Sequence, residues 1–124
     1  KKNIDNVDED FFPHSNLINQ YKSSDLYLNL SRIESFGITF IEALASKTPI
    51  ISFDGKGANE IIKDKINGFI IKNYDVTELI NKICQINENK IIINGMQNNC
   101  LESIRKFDLG INSNKLINIY NDQI

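Results

Sequence analysis

The sequence predicts an α/β fold, a Rossmann-like open parallel sheet with flanking helices. Two observations carry this. Short apolar runs alternate with segments of helical spacing along the whole chain. The run at residues 25–30 is consistent with a strand buried on both faces, as in parallel sheets. The chain has 124 residues, enough for one domain with a real core, and it shows no repeat, low-complexity tract or internal boundary.

The elements follow in order. Residues 7–12 are partly acidic with an apolar end, which predicts a weak strand closed by Pro13. Ser15 is expected to cap a short helix reaching Lys22, with Leu17, Ile18 and Tyr21 at helical spacing. Residues 25–30 are the second strand, and 31–36 a loop. A helix over 37–46 places Ile38, Ile41, Leu44 and Ala45 on one stripe, widened by Phe40 and Ala43. Residues 49–53 form the third strand, 54–57 a turn-rich loop, and 58–62 a short helix. Gly68 opens a brief strand through Ile71. Asp75 and Glu78 are spaced as a capping box, with Val76, Leu79, Ile80 and Ile83 as one apolar stripe behind them. Helices over 89–106 and 111–120 complete the chain, the second following Gly110.

Composition excludes several classes. No apolar run approaches the roughly 20 residues that span a bilayer. A net charge of −2 gives no electrostatic case for nucleic acid. Cys84 and Cys100 are too few and too far apart for a metal motif or a disulfide framework, and read as reduced thiols of a cytoplasmic protein. Asp8-Glu9-Asp10 contains an Asp-x-Asp pattern, but it precedes Phe11-Phe12 rather than following a buried strand. His14 is the only histidine and has no nucleophile pairing, which argues against a Ser-His-Asp site. Gly55-Lys56-Gly57 lacks the third glycine of a dinucleotide fingerprint and the ending of a P-loop, so it reads as a turn. The chain opens Lys-Lys-Asn-Ile, without initiator Met or targeting core, as if inside a larger protein.

One constellation points to chemistry. Glu34 and Glu42 have seven residues between them, around Phe36-Gly37 and the start of a helix. In an open parallel sheet, ligands bind beyond the carboxyl ends of the strands. The helix starting at Gly37 aims free N–H groups and its positive end there, which suits a diphosphate. Gly37 has no Cβ, so a phosphate or sugar could approach its backbone closely. Glu42 is placed to accept from vicinal ribose hydroxyls, and Glu34 to face a sugar.

The ordered set of motifs resembles a known family. Residues 21–31, then Glu34-Ser35-Phe36-Gly37, Ile41-Glu42-Ala43-Leu44-Ala45 and Thr48-Pro49-Ile50-Ile51 look like the C-terminal domain of retaining, GT-B-fold glycosyltransferases of family 4, the glycosyl transferases group 1. The likeness continues through 54–60, Asn67-Gly68-Phe69-Ile70-Ile71 and Asp75, closely over 14–85 and loosely beyond. It implies that the chain is a nucleotide-sugar-binding domain truncated at its N-terminal side. It implies Glu34 as the candidate catalytic residue at the donor sugar and Glu42 at the ribose. Ser35, Phe36, Gly37, Ile38 and Thr39 match the donor-binding segment for sugar hydroxyls and diphosphate. The reaction implied is retaining transfer of a hexose from a nucleotide diphosphate sugar to a glycan or lipid-linked acceptor, with no metal and no other cofactor. Such enzymes work at the cytoplasmic side, often at the membrane surface, in polysaccharide biosynthesis.

Three positions depart from the family pattern: Lys56 and Lys47 where glycine is common, and Asn59 where proline is frequent. The acceptor domain and the usual phosphate-gripping Arg/Lys pair are not in this sequence. In the strand order 3-2-1-4-5-6, residues 25–30 would then form an open edge, so the fragment is expected to self-associate or to fill the gap with its own N-terminus, and to be inactive alone. The rival is a non-catalytic receiver or flavodoxin-type module, with Asp54 as the phosphorylated residue but without paired acids to support it.

Overall fold

The structure, a computed structural model, describes residues 14–108 and 113. The expected strand at 7–12 and, apart from residue 113, the expected helix at 111–120 lie outside the described residues. The order is α1 (His14–Ser23), β1 (Tyr27–Asn29), α2 (Ile38–Ala45), β2 (Ile50–Phe53), α3 (Lys56–Ile61) and β3 (Gly68–Ile71), then α4 (Val76–Glu88), α5 (Ile91–Asn94) and α6 (Gln97–Ile104). Single 3-10 turns occupy Lys72–Tyr74 and Arg105–Phe107.

The three strands form one parallel sheet in the order β1-β2-β3. That sequential parallel order is compatible with the 4-5-6 half of the expected doubly wound order. Leu28 of β1 stands opposite Ile51 of β2, which stands opposite Phe69 of β3. All four residues of β2 are buried. Helices cover it on both faces. Tyr21, Phe40, Leu44, Ile50, Ile61 and Cys100 pack on one side, and Ile51, Phe53, Phe69, Leu79, Ile93 and Met96 on the other.

Several boundaries moved, each for a local reason. Helix α1 starts at His14, so Ser15 lies within it rather than ahead of it. Strand β1 is half the expected length and is not buried on both faces: Leu28 is 42% exposed and Leu30 44%. Among the described residues β1 is an edge strand. The buried Asn29 ends it, its side-chain oxygen accepting the Ser31 N–H at 2.9 Å and turning the chain outward. In α2 the buried face is Phe40, Ala43 and Leu44, while Ile38 is 63% exposed. The aromatic ring, with more apolar surface to bury, takes the core position.

Helix α2 stops in a Schellman turn. The Thr48 N–H donates to the Ala43 carbonyl at 2.9 Å and the Lys47 N–H to the Leu44 carbonyl at 3.0 Å. Lys47 fills the left-handed position that glycine favours, with φ 62°. Helix α3 begins at Lys56, two residues early, so Lys56 and Gly57 belong to a helix and not to a free turn.

Asp75 caps α4, accepting from the Thr77 and Glu78 N–H groups at 2.9 and 3.0 Å. The reciprocal half of the box is missing, because the Asp75 N–H donates to the Lys72 carbonyl. The expected α4 stripe is narrower than predicted: Leu79 and Ile86 are buried, whereas Val76 and Ile80 are more than half exposed. The single helix expected at 89–106 is broken into α5, α6 and a 3-10 turn. Ile93 and Met96 pack on one face of the sheet and Cys100 on the other, so the chain must change direction between them.

Candidate functional site

The loops that leave β1 and β2 at their carboxyl ends enclose a cleft of about 360 Å³, lined by Arg32, Ile33, Glu34, Ser35, Gly55 and Lys56. Glu34 is half-buried, and its Oε1 accepts the Gly37 N–H at 3.1 Å. The carboxylate thereby holds the loop against the start of α2.

Gly37 is left-handed, with φ 73°. A Cβ there would lie 2.5 Å from Cδ2 of Phe40 and 3.2 Å from Cδ1 of Ile61. The residue is buried, so its own packing and backbone already require glycine. The Gly37 carbonyl accepts from the Phe40 and Ile41 N–H groups, at 2.9 and 3.3 Å. The N–H groups of Ile38 and Thr39, in the first turn of α2, have no acceptor among the described residues.

Glu42 lies further along α2, half-buried and facing α1, with the Tyr21 hydroxyl 3.5 Å from its Oε2. Burial, then the neighbouring Tyr27 and Glu42, pushes the Tyr21 hydroxyl up to about 12. Tyr21 meets Tyr27 edge-on at 5.3 Å, and its carbonyl accepts the Thr48 hydroxyl at 2.7 Å. Glu42 thus stands on a well-anchored wall.

Of the expected site residues, Glu34 and Ser35 line the cleft. Gly37, Ile38 and Thr39 form the turn where α2 begins. Glu42 sits apart, toward α1. Phe36 is 53% exposed and its ring packs edge-on against Phe107 at 6.0 Å, outside the cleft lining. Reasoning from sequence missed Arg32 and gave Lys56 no role beyond a turn residue that departs from glycine, in a loop at the strand ends; both line the cleft. A cation two residues before Glu34 was the available signal for Arg32. Tyr74 was also missed: its hydroxyl donates to the Arg32 carbonyl at 3.3 Å, and the Arg32 guanidinium lies 5.4 Å from its ring centre.

Among the described residues no three His, Cys, Asp or Glu side chains gather as a metal site, and no helix is long and apolar enough to cross a membrane. A separate groove of about 670 Å³ runs between α2 and α6, lined by Ile41, Leu101, Ile104, Arg105, Phe107 and Asp108.

With this geometry in view, residues 8–107 match the family described as glycosyl transferases group 1. A poly(ribitol-phosphate) alpha-N-acetylglucosaminyltransferase of Staphylococcus aureus is 31% identical over 98 residues, covering 77% of this chain and 20% of that protein. The GtfA subunit of a UDP-N-acetylglucosamine–peptide N-acetylglucosaminyltransferase of Streptococcus pneumoniae is 33% identical over 106 residues, covering 79% of this chain and 19% of its own length. The crystal structure of TarM superposes with a TM-score of 0.73 at 27% identity, over 83% of this chain and 21% of that one. The GtfA/B complex superposes with a TM-score of 0.63 at 26% identity, over 73% of this chain and 19% of that one. The chain therefore spans about a fifth of the length of these relatives. The match over residues 8–107 and the superposed α/β architecture lead to one conclusion: this chain belongs to the group 1 glycosyltransferases and has the GT-B-type α/β fold.

Proposed function

We propose that this chain forms the donor-binding part of a retaining glycosyltransferase, which moves a hexose from a nucleoside diphosphate sugar to a hydroxyl of a glycan or lipid-linked acceptor. The observation that carries this reading is the placement of the two glutamates around the start of α2, with the free Ile38 and Thr39 N–H groups between them. Glu34 would accept from the donor's sugar hydroxyls and Glu42 from those of the ribose. The diphosphate would lie at the Gly37 turn, where two N–H groups and the helix dipole oppose its charge.

During transfer, the bond from the anomeric carbon to the diphosphate oxygen breaks, and one forms to the acceptor oxygen on the same face. The acceptor proton leaves with the diphosphate. Fixed dipoles and side-chain cations stabilise the leaving group in this reading, without a metal. The relatives support a nucleotide donor and a large acceptor, since one is named for UDP-galactose and a diphosphoundecaprenol-linked sugar, another for a poly(ribitol-phosphate) chain. A cytoplasmic enzyme at the membrane surface follows from an acceptor of that kind.

Titration of the ¹⁵N-labelled protein with UDP, and separately with GDP, tests the reading. Shifts should concentrate at Gly37, Ile38, Thr39 and Glu42. Saturating nucleotide with no change at these amides would sink it. The receiver-type alternative predicts instead a response at Asp54 to small phosphodonors. It has no support in the site, because no acidic cluster accompanies Asp54 among the described residues.

A further inference from the structure

We infer that Arg32 and Lys56 are the cations that receive the donor's diphosphate in this chain, and that Tyr74 is the positioning residue that holds Arg32 in place. The inference rests on the donor-site reading above and adds three residues which that reading does not use.

The cleft supplies the first argument. Its lining combines two cations with the carboxylate of Glu34. A sugar diphosphate presents the complementary pair, hydroxyl donors next to phosphate acceptors. At about 360 Å³ the cleft lies within the range of small-ligand sites. Neither Arg32 nor Lys56 forms an ion pair among the described residues, so both charges remain available to an anion. The loop after β1 brings Arg32 and the first residue of α3 is Lys56, so the cations approach from two sides.

Tyr74 supplies the second argument. It grips Arg32 twice, through a hydrogen bond to its carbonyl at 3.3 Å and through the ring beneath its guanidinium. The ring is fixed in turn against Phe53, with centres 5.3 Å apart at 66°. Asn73 and Tyr74 both have φ 54°, two successive left-handed residues that are not glycine. Such backbone persists only where its surroundings hold it, and here the contact to Arg32 and Phe53 does so. The turn after β3 is thus bent in a costly way that delivers one ring under one guanidinium. A stacked, planar guanidinium loses less freedom on binding phosphate than a free one.

The test measures the affinity of UDP and of uridine by chemical-shift titration, for the wild type, R32Q, R32K, K56Q, Y74F and Y74A. R32Q and K56Q should each weaken UDP about tenfold and change uridine by less than about twofold. R32K should fall between R32Q and wild type, because charge is kept and stacking is lost. Y74F should bind UDP nearly as wild type does, whereas Y74A should approach R32Q. Arg32 and Lys56 are exposed, so R32Q and K56Q are decisive even if Y74A fails to fold. A wild type that binds UDP with R32Q and K56Q unchanged overturns this inference alone. A wild type that binds neither UDP nor GDP overturns the donor-site reading with it.

Discussion

Gly57→Ala should damage the candidate site from outside it. A Cβ at this position would lie 2.5 Å from the carbonyl oxygen of Glu34, 3.1 Å from its carbonyl carbon and 3.3 Å from its Cγ. Ordinary contact begins at 3.4 Å, so the Glu34 loop and α3 must separate by about 0.9 Å. The obstacle is main chain, which cannot swing away as a side-chain end does. Overpacking of this kind costs about 1–3 kcal/mol. Alanine in α3 returns about 1 kcal/mol of helix propensity, leaving a net loss of up to about 2 kcal/mol. A displacement approaching 1 Å at a catalytic group lowers turnover by up to about a hundredfold. Urea denaturation reads the first effect, and the amide shifts of Glu34 and Gly37 read the second. Gly95→Ala is the matched control: nothing lies within 4 Å of its Cβ position, and helical φ of −66° suits alanine, so it should gain about 0.5–1 kcal/mol. If Gly57→Ala proves as stable as Gly95→Ala and leaves the Glu34 amide unmoved, the close approach of α3 to that loop is wrong.

Three further outcomes are expected. Lys47→Gly should stabilise the protein by up to about 1 kcal/mol in urea, since the φ of 62° strains lysine and not glycine. Asn67→Leu should cost about 2–4 kcal/mol by the same assay, because Asn67 is fully buried, accepts the Lys63 N–H at 2.8 Å and donates to the Ile61 carbonyl at 3.2 Å. Stability should fall in strong base: burial raises Cys100 from 9.0 to about 11 and Tyr21 from 10.0 to about 12. Both groups are neutral when protonated and fold more readily so. Their contribution is complete below pH 9 and drains away between 9 and 12. Cys100→Ala should remove the part of that decline below pH 10, as followed by thermal melts across the range.

The sequence carried the architecture because strand–helix alternation is a local pattern with one economical packing. It carried the glutamates because the stretch from Glu34 to Glu42 lies on one loop and one helix. What it hid was set by partners distant along the chain. The break between α5 and α6 depends on which sheet face Ile93 and Cys100 reach, and nothing in their neighbourhood states that. Leu28 read as core, yet only the position of β1 in the sheet decides whether a layer covers it. Lys56 read as a turn residue because two glycines flank it, while the tertiary approach to Glu34 makes Gly57 a helix residue. Tyr74 stands 42 residues from the Arg32 carbonyl that it holds.

The bond between the Glu34 carboxylate and the Gly37 N–H gives the candidate site a partnership of its own. The carboxylate that would meet the sugar is already engaged by the turn that would meet the diphosphate. Any guest that claims this N–H evicts the side chain, and any guest that claims the side chain strips the turn. Recognition there is an exchange of partners rather than an addition of contacts, and its free energy is the small difference between two similar hydrogen bonds. Removing the carboxylate would therefore loosen the turn itself as well as any complex, and the change in affinity would understate how much the residue does.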